Sequence, residues 1–442
     1  GEVAASQDYP NFRPTLDFNF ASEKKLDSRI TYSRTGVASF TDEFGKVVIV
    51  GDNVPRFDHD PDTRESKGLL IEATRTNQWL YSEDLVTYVT GGELQQSTLA
   101  NTTATTDPTG GTNAVKMAAT ATGGGHSFYK NFNSGSNGNV HTASVWVKAA
   151  GVDYARIYVD TTGGNMGGPG VTFSTGNTWN VSASGVGTQV ATSVVKYPNG
   201  WWRLSVSGSF SNQTAYFVHV DIEGGEGDIS YNGNGSNGIY VWGVQFESGP
   251  FPTSYIPTNG SKSTRGLDLP TVEGTDFSNA FGTEFKEFSL VADYDNTTTI
   301  DGNSYGIIDL WGESTGYDHR IEWFKDDSSP YHIETRAFGG GNALFNNGNL
   351  SASSKAKSQR FATSWFVPDY SNTSSRRFVV SMGGEAVDVI GDNSGTTVPQ
   401  ITRMGIGCNP TRFDFSGGVL HFKRLMVYNK TLSDGQLQNL SA

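Results

Sequence analysis

Three groupings of residues in this chain could do chemistry, and each calls for a different partner. Asp293, Asp295 and Asn296, followed by Asp301, Gly302 and Asn303, would offer hard oxygen ligands to calcium. The spacing lacks the glutamate that closes an EF-hand loop, and Asp/Asn/Gly clusters are ordinary turn chemistry, so the turn is the preferred reading and no cofactor is expected. Glu284, Glu287, Glu322 and Glu334 could serve as acid and nucleophile on a glycosidic bond, but none sits in a paired spacing along one strand. Glu322, beside Trp323, comes nearest and reads as a solvated strand carboxylate. Asp58-His59-Asp60 suggests a catalytic group, yet next to Pro61 it reads as a turn held by aspartate side chains. No Gly-x-Ser-x-Gly elbow, His-Glu-x-x-His pair or P-loop occurs, so the chain is not expected to be an enzyme.

Aromatic rings mixed with charges are the third grouping. Alternation with period two places Val145, Val147, Ile157, Val159, Trp202, Leu204, Val206, Val218, Val220, Ile222, Tyr240, Trp242, Val244 and Phe246 toward a core. The opposite faces then carry Trp146, Tyr158, Trp201, Arg203 and His219, with Arg156, Asp160, Phe217 and Asp221 nearby. Rings that stack on a pyranose and charges that bond its hydroxyls suit a glycan. A protein interface enriches the same residue types. A later stretch rich in loops offers Trp311, Tyr317 and Tyr331 as an alternative glycan site, with His319, Trp323 and His332 close by and Trp365 and Tyr370 further on. Core packing competes for Trp311 and Trp323.

The elements that must position these groups are strands. Of 442 residues 12% are aromatic, 17% charged and 54 are Gly, a composition of short strands joined by tight turns, with aromatics too frequent for disorder. Lys plus Arg is 32 against 45 Asp plus Glu, a net charge of −13, which argues against nucleic acid and anionic lipid. The single Cys408 excludes an internal disulfide, and seven scattered His give no zinc pattern. No apolar run reaches the roughly 20 residues of a membrane helix. The start, Gly1-Glu2-Val3-Ala4, lacks a Met and a signal-peptide layout, and reads as a trimmed or internal beginning.

The expected class is all-β, with tandem β-sandwiches in three segments. Residues 1–78 hold short strands, among them a hairpin turning at Asp42-Glu43-Phe44-Gly45, and too few apolar residues to fold alone, so they are expected to dock onto a neighbour. Residues 79–258 form a jelly roll with strands near 144–148, 155–160, 201–207, 217–222 and 239–247, closed by Pro250, Pro252 and Pro257. After a polar linker, residues 265–442 form a second sandwich ending in a short helix capped by Ser433.

Longer strings carry a resemblance. Leu16-Asp17-Phe18, Ile30-Thr31-Tyr32-Ser33-Arg34, Val54-Pro55-Arg56-Phe57-Asp58-His59-Asp60-Pro61 and the run from Glu65 to Asn77 resemble the opening of tailed-bacteriophage fibre and spike proteins. Gly200-Trp201-Trp202-Arg203, the run from Ile239 to Glu247, and Thr253-Ser254-Tyr255-Ile256-Pro257-Thr258 are similar to that family's carbohydrate-binding-like jelly roll. The ending from Lys423 to Ser433 is similar to concanavalin A-like lectin/glucanase domains. The resemblance implies a head-spike or tail-fibre appendage on the virion, assembled in the host cytoplasm. Its partners would be other virion proteins through the N-terminal segment and a host-surface glycan, with an architectural capsid- or tail-decorating role as the alternative and a depolymerase disfavoured. The failure of the first segment to bury a core alone adds the expectation of a homo-oligomer, most simply a trimer.

Overall fold

Strands alternating apolar and polar residues can hide only one face, and two such sheets cover each other. The computed structural model describes residues 9–133, 138–296, 305–312, 319–325, 332–339, 342–351, 358–407 and 418–442. Asp301, Gly302, Asn303, Tyr317 and Tyr331 lie outside the described residues. In the middle of the chain a six-stranded antiparallel sheet runs in the order Gly187–Lys196, Trp202–Phe210, His141–Ala150, Gly238–Ser248, Val115–Ala119, Ser97–Asn101. A second sheet runs Asn177–Val181, Gly168–Thr172, Tyr154–Thr161, Ala215–Glu223, His126–Asn133, Leu94–Gln95. Val145, Val147, Leu204 and Val206 meet Ile157, Val159, Val218 and Val220 between them, as the alternation requires. Each such side chain contributes about 1.5–3 kcal/mol by leaving water.

The alternation fails at one place. Tyr240 and Trp242, expected in this core, lie on the outer face, and Ile239, Val241, Val244 and Phe246 fill the inside. The cause is an irregularity between Gly238–Ser248 and His141–Ala150: Ser144 pairs with Gln245 but Trp146 pairs with Trp242. One extra residue in the longer strand reverses which face its side chains take. Gly243 occupies the irregularity at φ +65°, where a Cβ would lie 2.9 Å from the Trp146 ring.

The C-terminal sandwich takes strands from both ends of the chain. One sheet runs Asp388–Val389, Arg377–Met382, Ser358–Phe366, Glu287–Asn296, Val419–Tyr428, Ser66–Glu72, Phe57–His59, with Leu16–Phe18 also on Val419–Tyr428. The other begins at Thr31–Ser33 and continues through Leu269–Glu273, Arg403–Ile406, Tyr305–Trp311, Arg320–Lys325, His332–Gly339 and Asn342–Ser351. The first segment therefore docks within its own chain: Leu16 pairs with Val427 and Ile71 with Leu420, and Phe18, Phe20 and Leu69 join Phe288, Trp323 and Trp365 in one core. Its shortage of apolar residues reflects strands lent to a larger sheet, so it supplies no ground for a second subunit. The closing helix, Asp434–Ser441, begins with the expected Ser433 cap, which accepts from the Gln436 amide while Gln436 Oε1 accepts from the Ser433 amide.

Where the segments meet, charge is buried. Arg34, Arg56 and Arg265 surround Glu72 and Asp268, all with side chains at most 1% exposed. Arg56 Nη1 lies 2.6 Å and Arg265 Nη1 3.0 Å from Glu72 Oε2. Glu72 also accepts from the Ser254 amide at 2.8 Å and hydroxyl at 2.6 Å, and Tyr32 donates to Asp268. Burial alone would raise the Glu72 pKa. Arg265, Arg56 and the Ser254 bonds outweigh it and hold the carboxyl well below the carboxylate range. This network ties residues 32–72, 254 and 265–268 together.

Candidate functional site

The outer face of the sheet carrying Tyr154–Thr161 and Ala215–Glu223 gathers rings and charges in register. Tyr158 and Tyr129 both pair with His219, Arg156 with Asp221, Asp160 with Phe217, and Tyr154 with Glu223. Because Ala155, Ile157, Val159, Val218, Val220 and Ile222 point into the core, these alternate residues must point out. His219 is held between two tyrosines, its ring 4.4 Å from Tyr158 and 5.0 Å from Tyr129, both stacked. Its Nε2 lies 3.2 Å from Asp160 Oδ1, and the Arg156 guanidinium sits 4.7 Å over the Tyr158 ring. Phe217 extends the row from Tyr129 at 6.0 Å. Tyr129, Tyr158, Phe217 and Tyr154 are each half-buried, leaving ring surface open. Trp179 lies flat over Gly170, where a Cβ would stand 2.3 Å from the indole, and meets Tyr154 edge-on at 6.1 Å.

Beneath the rings the charges are nearly dry. Arg156 bridges Asp221 Oδ2 at 3.0 Å and Glu223 Oε1 at 2.8 Å. Burial pushes the Glu223 carboxyl up to about 7, with Arg156 pulling down and Asp221 reinforcing the rise. Burial also raises Asp221, against Arg156. Burial, then Asp221 and Asp160, raise the Tyr158 hydroxyl, which stays a neutral donor. Glu223 Oε2 accepts from the Gly227 amide at 2.9 Å, and Oε1 faces Arg156 Nε at ion-pair distance without a hydrogen bond. Asp221 Oδ1 and His219 Nδ1 are buried without a protein partner. The face can thus stack a ring and bond hydroxyls.

A raised carboxyl has a stability consequence of fixed sign. The folded state favours protonated Glu223, so its contribution is full below the ordinary value of 4.5 and is lost as pH rises toward about 7. Glu223→Gln keeps the acceptor for Gly227 and removes the titration. Its melting temperature relative to wild type is expected to rise between pH 5 and 8, and parallel profiles would refute the assignment.

Comparisons with known proteins give only partial likeness. No family model matches the chain, and no curated protein matches it. The CBM40 domain of the Ruminococcus gnavus IT-sialidase bound to α2,3-sialyllactose is 12% identical over 36% of this chain and 83% of its own, with a TM-score of 0.26. A NanB sialidase from Streptococcus pneumoniae is 13% identical over 39% of this chain and 26% of its own, TM-score 0.29. A structure of botulinum neurotoxin type C, whose cell entry depends on two ganglioside molecules, is 11% identical over 40% of this chain and 39% of its own, TM-score 0.30. These likenesses are partial, and the chemistry of the face is read from its own side chains.

The sequence-derived site residues divide. Tyr158 and His219 share the open face. Trp146 and Trp201, each 1% exposed, lie on the outer face of the other sheet in a cluster with Val47, Ala114, Tyr197, Trp242 and Tyr255, and Arg203 stacks 4.3 Å over Trp146. The five expected partners therefore occupy opposite sides of one sandwich, because alternation fixes inside against outside and does not say which sheet a strand joins. Trp311 is buried at 6% exposure. Trp323, Trp365 and Tyr370 pack in the C-terminal core, the last donating to the Phe285 carbonyl at 2.8 Å. His319 Nδ1 accepts from the Gln400 amide. Tyr129, Tyr154, Trp179 and Glu223 were missed. The signal for Tyr129 was present in His126–Asn133, where His126 and Phe128 point in and Tyr129 and Asn131 point out.

Most of the acidic candidates are otherwise occupied, Asp295 keeps a buried Oδ1 without a hydrogen bond, and the Glu334 side chain lies outside the described residues. Asp293 pairs with Arg360 at 2.5 Å, Glu284 with Lys286, and Glu287 accepts from Thr431. Glu322, expected to be solvated, is fully buried, paired across the strands with Asp309 and with Arg320 Nε at 3.4 Å as its counter-charge. Asp60 accepts from the Asp62 and Thr63 amides, the expected turn, whereas Asp58 stands in a strand, accepting from Thr41 and pairing with His421 at 2.8 Å. Among the described residues no group of three metal-ligating side chains occurs.

Proposed function

We propose that this protein is a non-enzymatic glycan-binding module, and that the Tyr129–His219–Tyr158 row is its binding platform. The observation that carries the reading is the stack of two half-buried tyrosines on either side of the buried His219 ring, above buried Arg156, Asp221 and Glu223. Folding does not need rings on that side, since the core lies on the other. A sugar can rest against the open edges of these rings, while the Tyr158 hydroxyl and Asp160 meet its hydroxyls. Binding by wild-type protein on an array of bacterial surface polysaccharides tests this. Tyr158→Ala should weaken the bound sugar about tenfold or more, ~1.4 kcal/mol, with the fold intact. Absence of any bound sugar, or undiminished binding by Tyr158→Ala, overturns the platform.

The resemblance of the N-terminal strings supports placing this module on a tailed-phage virion as a fibre or spike contacting host-surface glycan. A homo-oligomer, most simply a trimer, belongs to the same proposal. Its support is that resemblance, since the strands of residues 16–72 are paired within one chain. Native mass spectrometry showing only monomer at micromolar concentration would remove the trimer and leave the platform standing.

A further inference from the structure

Between the two sandwiches lies a cavity of about 440 Å³, away from the platform. One wall is the outer face of the six-stranded sheet, with Ser193, Ser205 and Arg203. The other comes from Asp58, His59 and Lys67 with His421. Its volume and its place at a junction of domains are those of small-molecule sites.

The polar atoms facing it are unspent. His59 Nδ1 lies 3.2 Å from the Thr41 carbonyl oxygen and so carries a proton, which leaves Nε2 free for a ligand. His421 Nε2 donates to Asp58 Oδ2 at 2.8 Å, and its Nδ1 is likewise free. Both residues are over nine-tenths buried, at 4% and 2% exposure, and neither free nitrogen has a protein partner. Ser193 and Ser205 share one hydrogen bond at 2.7 Å, which uses one of their two hydroxyl protons and leaves the other for a ligand oxygen.

Charge narrows the ligand. Arg203 donates through Nη2 to Ser144 Oγ and the Thr253 carbonyl, keeps a buried Nε without a partner, and makes no ion pair among the described residues. The carboxylates nearby are used: Asp58 on His421 and the Thr41 amide, Glu72 on Arg56 and Arg265. A guanidinium short of an anion, two free imidazole nitrogens and a pair of hydroxyls call for one carboxylate on a polyhydroxylated frame.

We propose that this cavity is a second binding site, taking a single acidic sugar residue whose carboxylate meets Arg203 and whose hydroxyls meet His59, His421 and the Ser193–Ser205 pair. The site is separate from the platform and does not depend on it.

Isothermal titration of the full chain with glucuronic acid and with N-acetylneuraminic acid, against glucose as the neutral control, tests the assignment. One acidic sugar should bind with one-to-one stoichiometry. Arg203→Gln should weaken it at least tenfold, and Tyr158→Ala should leave it unchanged. Because Arg203→Gln also removes a stacking partner of Trp146, Ser193→Leu, which fills the cavity from a strand position, gives a second reading and should abolish the titration. No heat with either acid, equal binding of glucose by Tyr158→Ala protein, loss of acid binding in Tyr158→Ala, or binding that survives Ser193→Leu each overturns the proposal. The last outcome would leave the cavity to water.

Discussion

Glu72→Gln is expected to lower unfolding stability by about 3–5 kcal/mol, the cost of leaving buried cations without their counter-charge. Glu72 accepts from Arg56, Arg265 and both donors of Ser254, and neither arginine can reach water. A neutral amide keeps the shape and one acceptor but turns its NH2 toward guanidinium groups. The remaining Asp268 must then offset Arg34 and Arg56, and Arg265 is left with Asp268 and Glu247 at longer range. The pH dependence has a definite sign. A carboxyl held below its ordinary 4.5 contributes stability that is full above that value and is lost as pH falls. Wild-type protein should therefore lose stability below about pH 4.5 more steeply than Glu72→Gln. Urea denaturation at pH 7 and pH 4 measures both, and a change under 1 kcal/mol at pH 7 would show that the network does not hold the segments together.

How far the sequence could be read is decided by what period-two alternation encodes. Strands such as Tyr154–Thr161 and Ala215–Glu223 were legible because every second residue is aliphatic, and so were the hairpin of residues 38–50 and the Ser433 cap. Alternation says nothing about pairing between distant strands. That is why residues 16–72 looked like a segment seeking a neighbour when their partners lie at residues 269–271 and 419–427. It also assumes an unbroken pleat, and Gly243 breaks it, moving Tyr240 and Trp242 out of the predicted core. Half of the platform was legible on the same terms. Tyr158 and His219 follow from alternation, whereas Tyr129, Trp179 and Glu223 join them only through strand order.

Trp201→Ala is expected to destabilise the protein by about 3–5 kcal/mol while leaving platform binding unchanged. At 1% exposure its indole is packed in the aromatic cluster of Trp146, Tyr197, Trp242 and Tyr255, and its Nε1 donates to the Thr106 carbonyl at 2.9 Å. Truncation opens a void in that cluster and strands the carbonyl, two costs that act together. Val47, from the hairpin of residues 38–50, completes the cluster, so the same substitution should loosen that hairpin first. Hydrogen exchange would register this as faster amide exchange over residues 38–50 than over Tyr154–Thr161. The paired measurement separates packing from recognition. A stable Trp201→Ala protein that no longer binds polysaccharide would place the glycan on this face and take it away from the His219 platform. A destabilised protein that still binds places the two tryptophans in the structure and the sugar on the opposite sheet.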